Sequence, residues 1–131
     1  MRSRFAAFAL GDGPYLVRTL ASDHADLDLP RDLLERELSR AHERQRFLGL
    51  RVLYTEATAD AGEVLFLARI FEKGADRSFV ELSHFVKEDG AWRYASGILA
   101  QKSELPDDLG TPDSETFGLR TRVWLLGSRG Q

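Results

Sequence analysis

Along this chain the spacing of apolar positions changes period once, near Phe47. Before that point the pattern is helical. Arg2–Leu10 carries Phe5, Ala6, Phe8 and Ala9 and is followed by Gly11, which predicts a short helix with a stop. Asp12-Gly13-Pro14 opens a second helix, with Asp12 as its cap, Pro14 in its first turn and Leu16 and Leu20 on one face. Ser22–Leu29 is polar and reads as loop. Pro30 begins a third helix, in which Leu34, Leu38 and Ala41 recur at i, i+4 and i+7 while Arg36, Arg40 and Arg44 line a wet face.

After Phe47 the period is two. Leu48–Thr58, Val64–Phe71, Phe79–Lys87 and Trp92–Leu99 read as strands. On the first, Leu48, Leu50, Val52 and Tyr54 alternate with Gly49, Arg51 and Leu53. On the second, Val64, Phe66, Ala68 and Ile70 form one apolar face and Arg69 points the other way. Ala59–Gly62 and Lys73–Asp76 are turns, and Asp89-Gly90 signals a tight hairpin. Ser103–Glu115, with Pro106 and Pro112, reads as a loop. Leu119–Leu126 is either a last strand or a helix. Helices first and a meander afterwards predict one α+β domain over 1–131: helices about 2–46, a curved antiparallel sheet about 47–100 and a C-terminal segment 101–131.

Composition narrows the function classes. The 131 residues suit one domain, and 43% hydrophobic with 30% charged residues is a soluble globular mix. A net charge of -3, with arginines interleaved among Asp and Glu, gives no basic footprint for nucleic acid. No apolar run reaches the roughly 20 residues of a membrane helix, and no secretory signal is visible, so a cytoplasmic location is expected. The absence of cysteine excludes disulfides, thiolate catalysis and Cys-ligated zinc.

Ala68-Arg69, Glu81-x-Ser83-x-Phe85, Asp89-Gly90-x-Trp92-x-Tyr94 and Gly97, together with MRSRFAAF at Met1–Phe8, Tyr15-Leu16 and Leu48-Gly49-Leu50, carry a resemblance to the YchJ-type bacterial family. It spans about Met1 to Gly97. It implies a nuclear-transport-factor-2-like cone, with N-terminal helices closing a concave antiparallel sheet. It implies no reaction, since that family has no established biochemical role. Its members usually carry Cys-rich SEC-C motifs that bind zinc. This cysteine-free chain departs from them there, so no zinc or SEC-C partner role carries over, and short form and fragment both stay open.

The third strand has two readings. Hydrophobic parity favours Val80, Leu82 and Val86 as the buried set, whereas the resemblance favours Phe79, Glu81, Ser83 and Phe85 inward. We adopt the second. An inward Glu81 needs a partner, because an unpaired buried carboxylate costs several kcal/mol. Arg4, or failing that Arg2, is the expected one, with Ser83 or Tyr94 nearby and Tyr15 offering a hydroxyl. These six residues form the candidate pocket or buried polar network. Either Glu81 and Arg4 are a structural pair, or Glu81 is a ligand-binding or acid/base group at the bottom of a pocket. Trp92, Tyr94 and Ser96 are expected on one strand face.

No catalytic constellation stands out. His24, His42 and His84 lack metal-ligand spacing, and no phosphate loop, dinucleotide fingerprint or nucleophile elbow occurs. No metal, cofactor or catalytic residue is therefore assigned. The expected function is a non-enzymatic binding or assembly module. The rival is an isomerase- or dehydratase-type enzyme using the cone pocket, with Glu81 as acid/base. Leu65, Leu67, Val80 and Leu82 form a second apolar sheet face, which predicts a homodimer through the outer side.

Overall fold

The structure, a computed structural model, describes residues 1–129. The helical half follows its local signals. Helix α1, Arg2–Leu10, stops at Gly11, whose φ of 72° is the left-handed conformation that ends helices cheaply. Helix α2, Gly13–Arg18, is capped by the Asp12 carboxylate, which accepts the Tyr15 N–H at 3.1 Å. The expected Ser22–Leu29 loop contains a 3-10 turn over Ala25–Asp28. The third helix divides in two, α3 at Arg31–Ser39 and α4 at Ala41–Arg44. Leu34 of α3 still packs on Val17 and Leu20, but Ala41 falls beyond the break.

Strands β1 (Gln45–Ala57), β2 (Ala61–Glu72), β4 (Phe79–Glu88) and β5 (Ala91–Gln101) form an antiparallel sheet in the order β1-β2-β4-β5, and the two-residue β3 (Ala75–Asp76) pairs with β2. Asp89 and Gly90 both take positive φ, 51° and 80°, as the tight hairpin requires.

Bulges decide which side chains face inward. On β1 the register slips at Leu48 and again at Leu53, so Phe47, Leu50 and Val52 pair with the inward Ile70, Ala68 and Phe66, while Tyr54 pairs with the outward Leu65. The expected Leu48, Leu50, Val52, Tyr54 alternation is thereby corrected: an extra residue in a strand inverts the parity that follows it. On β5 the slip falls at Ala95, where Phe85 pairs with Tyr94 but His84 pairs with Ser96. Tyr94 thus shares the inner face with Gly97, not with Ser96.

The inner cluster of Phe66, Ala68 and Ile70 packs under Phe5 of α1 and against Phe47, Leu50 and Phe79. The outer cluster corrects the expected dimer surface. Leu65, Leu67, Val80 and Leu82 are buried with Ala100 beneath Leu125 of the last helix, α5, Phe117–Arg129. That face is occupied by the chain's own C-terminal helix and is not free to pair two copies. The undecided segment Leu119–Leu126 is helix. Gly118 lets α5 approach closely: a Cβ there would lie 2.3 Å from the Leu53 carbonyl oxygen. The Ser103–Glu115 loop includes a 3-10 turn at Asp107–Leu109, which buries Leu109, and it follows another at Lys102–Glu104.

Candidate functional site

Between the N-terminal helices and the inner sheet face lies a cavity of about 210 Å³. Its walls are mostly apolar, with Phe5 and Phe8 from α1 and Phe47, Phe66 and Phe79 from the sheet. Its polar groups are Arg4, Glu81, Tyr94, His24 and Asp26.

Glu81 is inward, as the second reading of its strand expects, and only 8% exposed. Its pairing with Phe66 on β2 sets it on the inner face, two residues from Ser83 on the same side. One carboxylate oxygen, Oε2, accepts hydrogen bonds from the Ser83 hydroxyl at 2.5 Å and the Tyr94 hydroxyl at 2.9 Å. The other, Oε1, has no hydrogen-bond partner among the described residues and is not sealed off, and Glu81 lines the cavity. Gly97 makes this arrangement possible. A Cβ at that position would sit 2.5 Å from both Glu81 Oε2 and the Tyr94 hydroxyl oxygen, closer than side chains pack. The phenol of Tyr94 is pushed well above its ordinary pKa. Burial is the main cause, followed by the Glu81 charge and the hydrogen bond donated to it.

The expected Arg4–Glu81 contact does not form. Among the described residues no ion pair joins the two. Arg4 is buried, and its guanidinium donates to the Leu16 carbonyl at 2.9 Å and to the Thr19 hydroxyl, with its carbon 4.9 Å from the centre of the Tyr94 ring. The physical reason is local. Leu16 and Thr19 lie at the end of α2, where carbonyls lack helical partners, and they take the guanidinium first. Burial lowers the Arg4 pKa, and the Tyr94 and Glu81 groups pull it back up, so Glu81 acts on Arg4 through space. Arg2, the fallback partner, is exposed. The Tyr15 hydroxyl donates to Ser3 at 2.7 Å and lies outside the cavity wall.

Two cavity residues escaped sequence reasoning. His24 and Asp26 come from the 3-10 turn and its cap, and the His24 ring sits 5.9 Å from that of Tyr94. His24 Nδ1 accepts the Asp26 N–H at 3.1 Å, so the neutral ring carries its proton on Nε2. No spacing rule marks a loop histidine that reaches the cavity only through the packing of helices on the sheet. Gly97 did carry a signal, as part of the matched pattern, but no role. Among the described residues no group of three or more His, Asp or Glu side chains converges as a metal site, and no helix is long and apolar enough to cross a membrane. A wider hollow of about 610 Å³, bounded by Leu109, Leu119, Val123 and Trp124, lies beside α5 on the far side of the sheet from Glu81.

Residues 1–97 match the profile of a family described as YchJ_M-like, the YchJ middle NTF2-like domain. The chain is 36% identical over 104 residues to UPF0225 protein YchJ of Shigella dysenteriae serotype 1, a match covering 77% of this chain and 64% of that protein. It is also similar to the solution structure of a SEC-C motif containing protein from Rhodopseudomonas palustris. That match has 38% identity and a TM-score of 0.63, over 74% of this chain and 73% of the other.

Proposed function

The chain belongs to the family of YchJ middle, NTF2-like domains, and we propose that it is a non-enzymatic binding module that holds a small molecule between its helices and the concave sheet. The observation that carries this reading is Glu81 Oε1. Glu81 is a buried residue of the cavity wall, yet this oxygen stays accessible and has no protein partner among the described residues. Its sister oxygen is held by two donors. An acceptor held rigid against phenylalanine walls is the pattern of a ligand site, where few polar groups orient an apolar body. A cytoplasmic setting goes with this reading.

The rival reading, an isomerase- or dehydratase-type enzyme with Glu81 as acid/base, has one observation in its favour. His24 borders the same cavity, so two proton-transfer groups face a common space. Titrating single-ring compounds into isotope-labelled protein separates the two. A binding module shows saturable shifts at the Phe66, Glu81 and Tyr94 amides and returns the compound unchanged. Turnover that falls on Glu81→Gln favours the enzyme. No shift from any compound in a chemically varied set sinks both readings.

A further inference from the structure

We propose that the cavity selects a neutral, ring-sized apolar molecule bearing one hydroxyl, and that the hydroxyl bridges Glu81 and Arg4. This inference rests on the reading of the cavity as a ligand site. Three observations specify the ligand further.

The first is size. About 210 Å³ lies below the range of about 300–1,000 Å³ typical of drug-sized ligands. A single ring with a short substituent fits. The second is the wall. Phe5, Phe47, Phe66 and Phe79 supply aromatic faces and edges, against which a ring packs in the T-shaped geometry these side chains already adopt among themselves. The third is charge. Glu81 alone would draw an ammonium group into an aromatic box. Arg4, however, borders the same cavity, is itself buried, and forms no ion pair with Glu81 among the described residues. Asp26 also borders the cavity, but its side chain is 53% exposed and screened by solvent, so the two buried charges, Arg4 and Glu81, balance across the cavity without quenching each other by contact. An ammonium group meets Arg4, a carboxylate meets Glu81, and each is repelled in a medium where charges are poorly screened. A hydroxyl satisfies both, donating its proton to Glu81 Oε1 and accepting from the guanidinium.

A matched trio tests this: benzyl alcohol, benzylammonium and benzoate, titrated into the labelled wild-type chain and followed at the Phe66, Glu81 and Tyr94 amides. The expected result is that benzyl alcohol binds on the order of tenfold more tightly than either ion, the discrimination of one buried hydrogen-bonded group. Glu81→Gln should reverse the order. The substituted side chain's carbonyl would keep the Ser83 and Tyr94 donors, its amide N–H₂ would face the cavity, and Arg4 would be unbalanced, so benzoate should overtake benzyl alcohol. If Glu81→Gln does not fold, the wild-type trio still decides. Benzylammonium or benzoate binding as well as the alcohol, or shifts confined to the hollow beside α5, overturns the hydroxyl assignment while another cavity ligand can still stand. No cavity shift with any of the three overturns the inference, and the wider compound set above then decides the underlying reading separately.

Discussion

Glu81 keeps its geometry because a neighbouring residue has no side chain. The Ser83 and Tyr94 hydroxyls converge on Oε2 in space that only glycine at position 97 leaves open. Gly97→Ala should therefore push the Tyr94 hydroxyl off Glu81. The expected cost is about 1–3 kcal/mol, the usual range for overpacking a filled site, read as a lower urea midpoint with an unchanged slope. The same substitution in a Tyr94→Phe background should cost less, because one of the three atoms in the way is gone, giving a non-additive cycle. Additive effects, or no effect of Gly97→Ala alone, would show that the close approach is absent in solution. Because no ion pair ties Arg4 to Glu81, removing Glu81 should act mainly by orphaning these two hydroxyl donors, about 1–3 kcal/mol each, and not by stranding a directly paired cation.

At the scale of elements, the sheet is covered on both sides by different parts of the chain. Helix α1 lies on the inner side, and α5 lies on the outer cluster through Leu125, which is fully buried. Leu125→Ala should cost about 2–5 kcal/mol, the range for truncating a buried leucine that leaves a cavity, with the midpoint of chemical denaturation as the measure. A cost below about 1 kcal/mol, the level of a surface change, would mean that α5 does not seal this face. The same helix explains what the sequence did and did not disclose. The switch of period near Phe47 placed the helices, the four long strands and the Asp89-Gly90 hairpin, because those signals are local. The surplus of apolar residues at Leu65, Leu67, Val80 and Leu82 was also visible, but its partner was not. A run such as Leu119–Leu126 satisfies strand and helix patterns alike until packing chooses. The bulges at Leu48, Leu53 and Ala95 leave no local mark, so parity failed on β1 and at Tyr94 and Ser96. Glu81 and Ser83 were placed inward by the matched pattern against hydrophobic parity. The partner of Arg4 was missed, since the choice between a carboxylate and the Leu16 carbonyl with the Thr19 hydroxyl depends on how α1 sits against α2.

For the molecule as a whole, Tyr94 joins the helical layer to the sheet. Its backbone N–H donates to the Thr19 carbonyl and its own carbonyl accepts the Ala21 N–H, both at 2.7 Å, which extends β5 to the chain leaving α2. Arg4, lying over the Tyr94 ring, also holds Thr19. Side-chain ionisation at this junction should consequently be felt by the entire fold. Burial, the charge of Glu81 and the hydrogen bond to it raise the folded-state pKa of Tyr94 above its unfolded value, in that order of importance. The sign follows from proton linkage. Below the unfolded value of about 10, both states keep the phenolic proton and this contribution is fully present. As pH rises above it, the unfolded chain loses that proton while the folded chain retains it, so stability falls until the folded phenol ionises too. Wild-type protein should lose melting temperature above about pH 10 more steeply than Tyr94→Phe, the other titrating groups being common to both. Tyrosinate absorbance supplies the direct check. The difference between wild type and Tyr94→Phe isolates one of the chain's three tyrosines and should stay flat until the protein unfolds. A native-state phenolate signal from Tyr94 appearing near its unfolded value would mean that water reaches Glu81 freely, and the buried site between helices and sheet would then be open.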